Sequence, residues 1–153
     1  MDYQVRTARI TDIDRLVTLA HDQLGGGEEA PLAAGDLLRQ LVFIPQASVF
    51  IAESRRTMVG AAVLALRPSI RAGGYIGTVD LLVVAPGQDE DAVSAVLLDE
   101  IIRSAGNKGC SLVEAPLPSD PETLARWGRH GFTQAGPHIE RAVKAAGAAG
   151  RRS

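Results

Sequence analysis

Polar and hydrophobic residues alternate along several short stretches of the chain, as they do in half-buried strands. The first such stretch, residues 2–9, predicts an opening strand. Four further strands are predicted at the strand-like segments 48–53, 58–67, 75–84 and 109–116. The segment YIGTVDLLVV (75–84) has the strongest strand character, and a closing β segment over 132–143 turns at residues 136–138.

Apolar residues at helical spacing predict four helices between these strands. They cover about residues 11–21, 32–42, 92–105 and 120–129. Thr11-Asp12 provides an N-cap for the first helix, and acids occupy its first turn. The sequence GGGEE (25–29) predicts a mobile loop, and the small residues of the last ten positions predict a disordered tail.

The predicted elements follow in the order β-α-α-β-β-β-α-β-α-β. Hairpins in the middle of the chain and one crossover helix predict an α+β domain with a mixed sheet, rather than a regular βαβ series. The 153 residues suit one core. We therefore expect a single domain over residues 1–143 and a flexible tail over 144–153.

Composition and charge exclude several classes of protein. Hydrophobic residues make up 46% and charged residues 22%, which excludes a wholly disordered chain. A net charge of -2 gives no electrostatic reason to expect a nucleic-acid partner. The polar N-terminus lacks the core of a signal peptide, and the apolar stretches are too short to span a bilayer. We expect a cytoplasmic protein without membrane contact.

Four strings in the chain carry a family resemblance. They are Val59-Gly60 opening a strand, Leu81–Pro86 closing the next, Leu97-Leu98 in the following helix, and Arg129–Phe132 after the last helix. In this order and at these spacings they resemble the GNAT superfamily of acyl-CoA-dependent N-acetyltransferases, from about Val5 to Val143. The resemblance implies a mixed, mostly antiparallel sheet with helices on both faces and a splayed central strand pair.

The resemblance also implies where acetyl-CoA binds. In the family, the strand before the proline pairs its backbone with the pantetheine arm, a role that falls here on Leu82, Val83 and Val84. The following loop wraps the pyrophosphate with backbone N–H groups at a helix N-terminus. Its positions correspond here to Asp89, Glu90, Asp91, Ala92, Val93 and Ser94. An asparagine that touches the cofactor in the family corresponds to Asp120.

The acids of this loop favour a capped helix over a phosphate site. Asp89 suits an N-cap, and Glu90 and Asp91 complement the helix dipole. Two unit charges about 4 Å apart repel by roughly 1 kcal/mol in water-like surroundings and about 4 at an intermediate dielectric. Side chains replace the family's glycines as well, which hinders the approach of a phosphate. We therefore expect weak or absent use of acetyl-CoA.

The same three acids could instead recognise a cation or a basic partner. No histidine or defined ligand loop accompanies them, so no metal is expected.

Two residues stand at positions of catalytic interest. Asp80 lies within an apolar strand, where similar enzymes place an acid that takes a proton from the acceptor amine. Alternatively, Asp80 faces the open side of the sheet or pairs with an arginine. Trp127 replaces the tyrosine that often protonates the departing thiolate, and an indole cannot usefully do so. His138, Arg67 and Arg71 are weaker candidates for contact with a ligand.

Two functions follow from these observations. In the first, the protein transfers an acetyl or other acyl group from a CoA thioester to an amine, with Asp80 as base. In the second, it is a non-catalytic binding or regulatory module on the same scaffold, and its ligand is a protein or another small molecule. The family resemblance adds a homodimer as an expectation.

Overall fold

The computed structural model describes residues 2–23 and 30–144. The glycine-rich loop predicted at 25–29 and the tail from residue 145 lie outside them. The strands are β1 (Gln4–Thr7), β2 (Ala47–Ser54), β3 (Thr57–Ser69), β4 (Gly74–Val84), β5 (Cys110–Pro116), β6 (Thr133–Ala135) and β7 (His138–Ala142). The α-helices are α1 (Ile13–Leu19), α2 (Ala30–Leu41), α3 (Glu90–Asn107) and α4 (Pro121–Arg129). The predicted order of elements is confirmed.

The strands form one sheet in the order β1-β2-β3-β4-β5-β7-β6. β1 and β2, β5 and β7, and β6 and β7 pair antiparallel. β4 and β5 pair parallel, because α3 carries the chain back between them as a crossover. This pairing covers Tyr75–Thr78 of β4, and the strand itself continues to Val84. The predicted α+β class with a mixed, mostly antiparallel sheet is confirmed.

The described parts of the chain divide into two compact units. The first unit comprises the described residues within Met1–Val63 and Leu81–Leu97. The second comprises the described residues within Leu64–Asp80 and Leu98–Ser153. The expected single domain over 1–143 stays a prediction. Within the described residues, no helix is long and apolar enough to cross a membrane.

Helices cover both faces of the sheet within the first unit. The apolar residues of α1 and α2 pack on one face, and the buried members of this cluster are Ala8, Ile13, Leu16, Ala20, Leu38, Val49, Ile51, Ala61, Val63 and Val83. On the other face, Gly60 of β3 leaves room for α3. A Cβ atom at Gly60 would lie 2.6 Å from Val93 Cγ1 and 3.2 Å from Leu97 Cδ1.

Gly60→Ala is expected to lower the free energy of unfolding by about 2 kcal/mol, because an added methyl overpacks this contact. The methyl carbon would also lie 2.9 Å from the backbone oxygen of Val83. Urea unfolding measures the loss. Gly128→Ala is the control, since a Cβ atom there meets nothing within 4 Å and alanine favours the helix. Equal stability of Gly60→Ala and the wild type would contradict close packing of α3 on β3.

A second small core lies within the second unit. The side chains of Leu64, Cys110 and Val113 surround Gly77, where a Cβ atom would lie 2.9 Å from Leu64 Cδ1. Cys110 is fully buried, and this burial raises the pKa of its thiol above the ordinary value. A protonated, enclosed thiol packs as a small apolar group and is not a nucleophile.

The turn between β2 and β3 consists of two arginines with left-handed backbone conformations. Arg55 has φ 52° and Arg56 has φ 65°. A two-residue hairpin turn of this kind favours Asn-Gly, since a side chain in this region costs roughly 1–2 kcal/mol. The chain therefore presents two arginines where glycine would be less strained.

Asp12 is the N-cap residue of α1, within the predicted Thr11-Asp12, but its side chain makes no cap bond to that helix. Asp12 is 2% exposed and instead accepts hydrogen bonds from Arg6 Nη1 at 2.8 Å, Arg6 Nη2 at 2.9 Å and the Arg9 backbone N–H at 2.7 Å. Arg6 also donates to Glu53 Oε1 at 2.9 Å. A buried carboxylate needs such partners, and this arginine on β1 outcompetes the helix end for it.

Candidate functional site

The backbone at the end of β4 has one edge turned away from β3. Ala85 N–H donates to Val59 O at 2.8 Å, so the backbone groups of residues 83 and 85 face β3. Because these groups alternate along a strand, those of Leu82 and Val84 lie on the opposite edge. There Gln23 Nε2 donates to Leu82 O at 3.2 Å.

Asp89 caps α3 as the sequence predicts. Its Oδ1 accepts a hydrogen bond from Ala92 N–H at 3.1 Å, and its backbone oxygen accepts from Val93 N–H at 2.9 Å. Asp89, Glu90 and Asp91 are exposed, so three carboxylates surround the start of this helix. An anion at this helix start would need the backbone N–H of Ala92, which is already hydrogen-bonded to Asp89.

The last two predicted loop positions point into the protein. Val93 is fully buried, and its side chain lies against Gly60; Ser94 is 3% exposed. Neither side chain can therefore contact a ligand at the helix start, and the backbone N–H of Val93 is already bonded to the Asp89 oxygen. The cofactor roles of residues 82–84 and 89–94 stay predictions.

The other predicted residues lie in the second unit. Asp80 is exposed on β4, and its role as a base stays a prediction. Trp127 is buried and packs edge-to-face on Phe132, with ring centroids 4.8 Å apart. Asp120 caps α4 by accepting from Thr123 N–H and Thr123 Oγ1, each at 2.8 Å. The Thr123 backbone bond, followed by the hydroxyl bond, lowers the pKa of Asp120 below its ordinary value.

A charged cluster on β3, β5 and β7 is not evident from the sequence. Glu114 of β5 is partly buried, accepts from Arg67 Nη2 at 3.2 Å, and lies 3.2 Å from His138 Nε2. Glu140 Oε2 lies 3.7 Å from the same histidine nitrogen. The pairing of β5 with β7 sets Glu114 opposite Glu140, which explains how these residues meet.

This cluster, defined by Arg67, Glu114, His138 and Glu140, can support acid–base chemistry. Histidine and carboxylate side chains are the groups that most often donate and accept protons in catalysis, and here Nε2 of His138 faces both carboxylates. The sequence points to His138 and Arg67 singly and misses Glu114. Glu114 could have been found as an acid inside an otherwise apolar strand, the same pattern that singles out Asp80.

Among residues 2–23 and 30–144, no group of three or more histidine, cysteine or acidic side chains is arranged to hold a metal ion.

The sequence matches no protein-family model and no curated protein, but solved structures share its fold. A predicted acetyltransferase with acetyl-CoA from Clostridium acetobutylicum has a TM-score of 0.74 and 15% identity, covering 88% of this chain and 92% of that one. A GNAT-family acetyltransferase from Streptococcus pneumoniae has a TM-score of 0.72 and 13% identity, covering 93% and 99%. A transcriptional regulator from Bacillus halodurans C-125 has a TM-score of 0.77 and 15% identity, covering 88% and 95%.

These likenesses define the class of fold. The chain has the fold of the GNAT acetyltransferases, and the predicted fold is confirmed. At 13–15% identity the likeness concerns the fold alone.

Proposed function

We propose that the protein is a GNAT-type N-acetyltransferase scaffold on which acetyl-CoA binding is weak or absent. The observation that carries this proposal is the cap on α3, where Asp89 Oδ1 occupies the Ala92 N–H. A phosphate arriving there must displace this carboxylate. It must also approach the exposed acids Glu90 and Asp91.

Electrostatics sets the expected scale of the loss. Each carboxylate within about 4 Å of a phosphate charge costs roughly 1 kcal/mol in water-like surroundings. Three such carboxylates would lower the affinity on the order of a hundredfold, since about 1.4 kcal/mol corresponds to a factor of ten. This charge repulsion does not affect the uncharged pantetheine arm. We propose that the pantetheine arm pairs with the edge of β4 formed by Leu82 and Val84. Gln23 would have to release Leu82 O for that pairing.

The proposed chemistry assigns a proton acceptor to the second unit. When an amine nitrogen attacks a thioester carbonyl, a nitrogen–carbon bond forms, the carbon–sulfur bond breaks, and the amine loses a proton. Exposed Asp80 is the proposed base, and the pair of His138 and Glu114 is a second candidate. Trp127 takes a packing role against Phe132, so the thiolate would receive its proton from solvent.

A second function, a non-catalytic binding module, is favoured by the replacement of the loop and tyrosine positions together. Asp89, Ala92, Ser94 and Trp127 all differ from the family pattern. The fold neighbour described as a transcriptional regulator is consistent with a regulatory role for such a scaffold. Under this proposal the chain binds a protein or another small molecule and transfers no acyl group.

Calorimetric titration of the wild type with acetyl-CoA at moderate salt tests the proposed weak binding. We expect a dissociation constant well above the micromolar range. Micromolar binding would sink the proposal. An assay of acetyl transfer to a panel of amines then separates the two functions. Acetylation that is lost in Asp80→Asn supports the enzyme. The absence of both acetyl-CoA binding and acetylation supports the binding module.

A further inference from the structure

A pocket in the first unit is lined by two arginines, a histidine, two threonines and three apolar residues. Its volume is about 560 Å³. Arg15 of α1 and Arg56 of the β2–β3 turn provide the cations, His21 of the 3-10 turn after α1 adds an imidazole, and Thr18 and Thr57 provide the hydroxyls. Three apolar residues, one of them Pro86, complete the lining that the structure describes, and none of the described lining residues is acidic. We call this the Arg56 pocket.

The charge of Arg15 is only partly met inside the protein. Arg15 Nη2 lies 3.2 Å from Asp12 Oδ1. Asp12 also binds both terminal nitrogens of Arg6, which pairs with Glu53 as well, so Asp12 is shared between two arginines. The Arg15 side chain remains 61% exposed, which leaves it able to contact a ligand. An anion in the pocket would therefore meet the exposed guanidinium of Arg15.

Backbone strain at Arg56 is a second, independent observation. Its φ of 65° is a conformation that glycine adopts without cost. Strained residues other than glycine concentrate at binding sites, where the side chain justifies the conformation. The adjacent Arg55 has the same type of strain, but it lines a different pocket that includes the acids Asp2 and Glu53. Arg56 borders both pockets, and Arg55 is absent from the lining described for the Arg56 pocket.

We propose that the Arg56 pocket binds a small molecule that carries a phosphate or carboxylate group. The guanidinium groups of Arg56 and Arg15 contact the anion, the Thr57 hydroxyl donates a hydrogen bond to it, and the apolar lining holds the organic part. Two sources share this chemistry. One is the phosphate end of coenzyme A, because Pro86 belongs to the loop between β4 and α3; the other is a separate small anion. The pocket does not depend on acetyl transfer.

Inorganic pyrophosphate is the probe for the test, measured by calorimetry or by amide chemical shifts in NMR. Arg56→Gly removes the guanidinium and relieves the strain, so the variant should unfold at a slightly higher temperature. We expect it to weaken pyrophosphate binding by about tenfold. Arg55→Gly is the matched control: it relieves the same strain and removes the same charge from the same turn, yet it should change the affinity by less than about twofold.

Three results would overturn the proposal. They are no pyrophosphate binding by the wild type at millimolar concentrations, unchanged binding in Arg56→Gly, or equal losses in the two variants. A titration with pyrophosphate and coenzyme A together identifies the source. If coenzyme A competes with pyrophosphate and Arg56→Gly abolishes the competition, the pocket holds the cofactor's phosphates. If coenzyme A leaves pyrophosphate binding unchanged, the pocket holds a separate anion.

Discussion

Arg6→Met is expected to lower the free energy of unfolding by about 3 kcal/mol. The substitution keeps most of the side-chain volume and removes two hydrogen bonds to Asp12 and two to Glu53. Asp12 stays buried with an uncompensated charge, since the Arg9 N–H and the exposed Arg15 replace only part of the interaction. Urea unfolding followed by circular dichroism measures the change.

Arg39→Met is the matched control for this prediction. Arg39 also pairs with two carboxylates, those of Asp14 and Asp36, but these side chains are well exposed. Exposed pairs contribute little, so we expect a loss of no more than about 1 kcal/mol. Equal losses in Arg6→Met and Arg39→Met would show that burial of Asp12 does not matter.

The same pair predicts how stability depends on pH. The hydrogen bonds from Arg6 are the main reason that the pKa of Asp12 falls from 3.8 to about 2. Between these values the unfolded chain binds the proton and the folded chain does not, so acid favours unfolding. The stabilisation is complete above about pH 4 and is lost as the pH falls towards 2; it amounts to about 2 kcal/mol. Arg6→Met should flatten this part of the stability–pH curve.

Most of the fold could be predicted because it depends on local patterns. The run of apolar residues in YIGTVDLLVV is typical of a strand, and the spacing of Val93, Leu97 and Ile101 follows from the buried face of their helix. The main shift is at α3, which begins at Glu90 and not at the predicted residue 92. Glu90 and Asp91 therefore belong to the first turn of the helix, because Asp89 is its N-cap.

The candidate site could be predicted only where a short segment defines it. Asp89 and the start of α3 are neighbours in sequence, so capping preferences are sufficient. The contact between Gln23 and Leu82 O joins residues 59 positions apart, and Arg67 and Glu114 are 47 apart. Such contacts depend on strand register and on side-chain direction, which composition and spacing do not specify.

The variant with Asp89→Arg, Glu90→Gly and Ala92→Gly is expected to bind acetyl-CoA at least about tenfold more tightly than the wild type. The first change replaces the capping carboxylate with a cation and frees the Ala92 backbone N–H. The two glycines remove Cβ atoms that hinder a phosphate. Calorimetry measures the affinity, and thermal unfolding measures the stability, which should fall by about 2 kcal/mol because the cap is lost.

Asp99→Arg with Glu122→Gly is the matched control, because both residues are exposed and the net charge changes by the same amount as in the loop variant. If long-range charge alone limits binding, both variants gain affinity equally, and the cap at Asp89 is irrelevant. A third variant, with Asp89→Asn, Glu90→Gln and Asp91→Asn, removes the three charges and retains a capping side chain. If this third variant gains about as much acetyl-CoA affinity as the variant with Asp89→Arg, the negative charge of the loop is what weakens binding. No gain from either loop change would place the obstacle at the Leu82 edge of β4, where Gln23 holds the carbonyl.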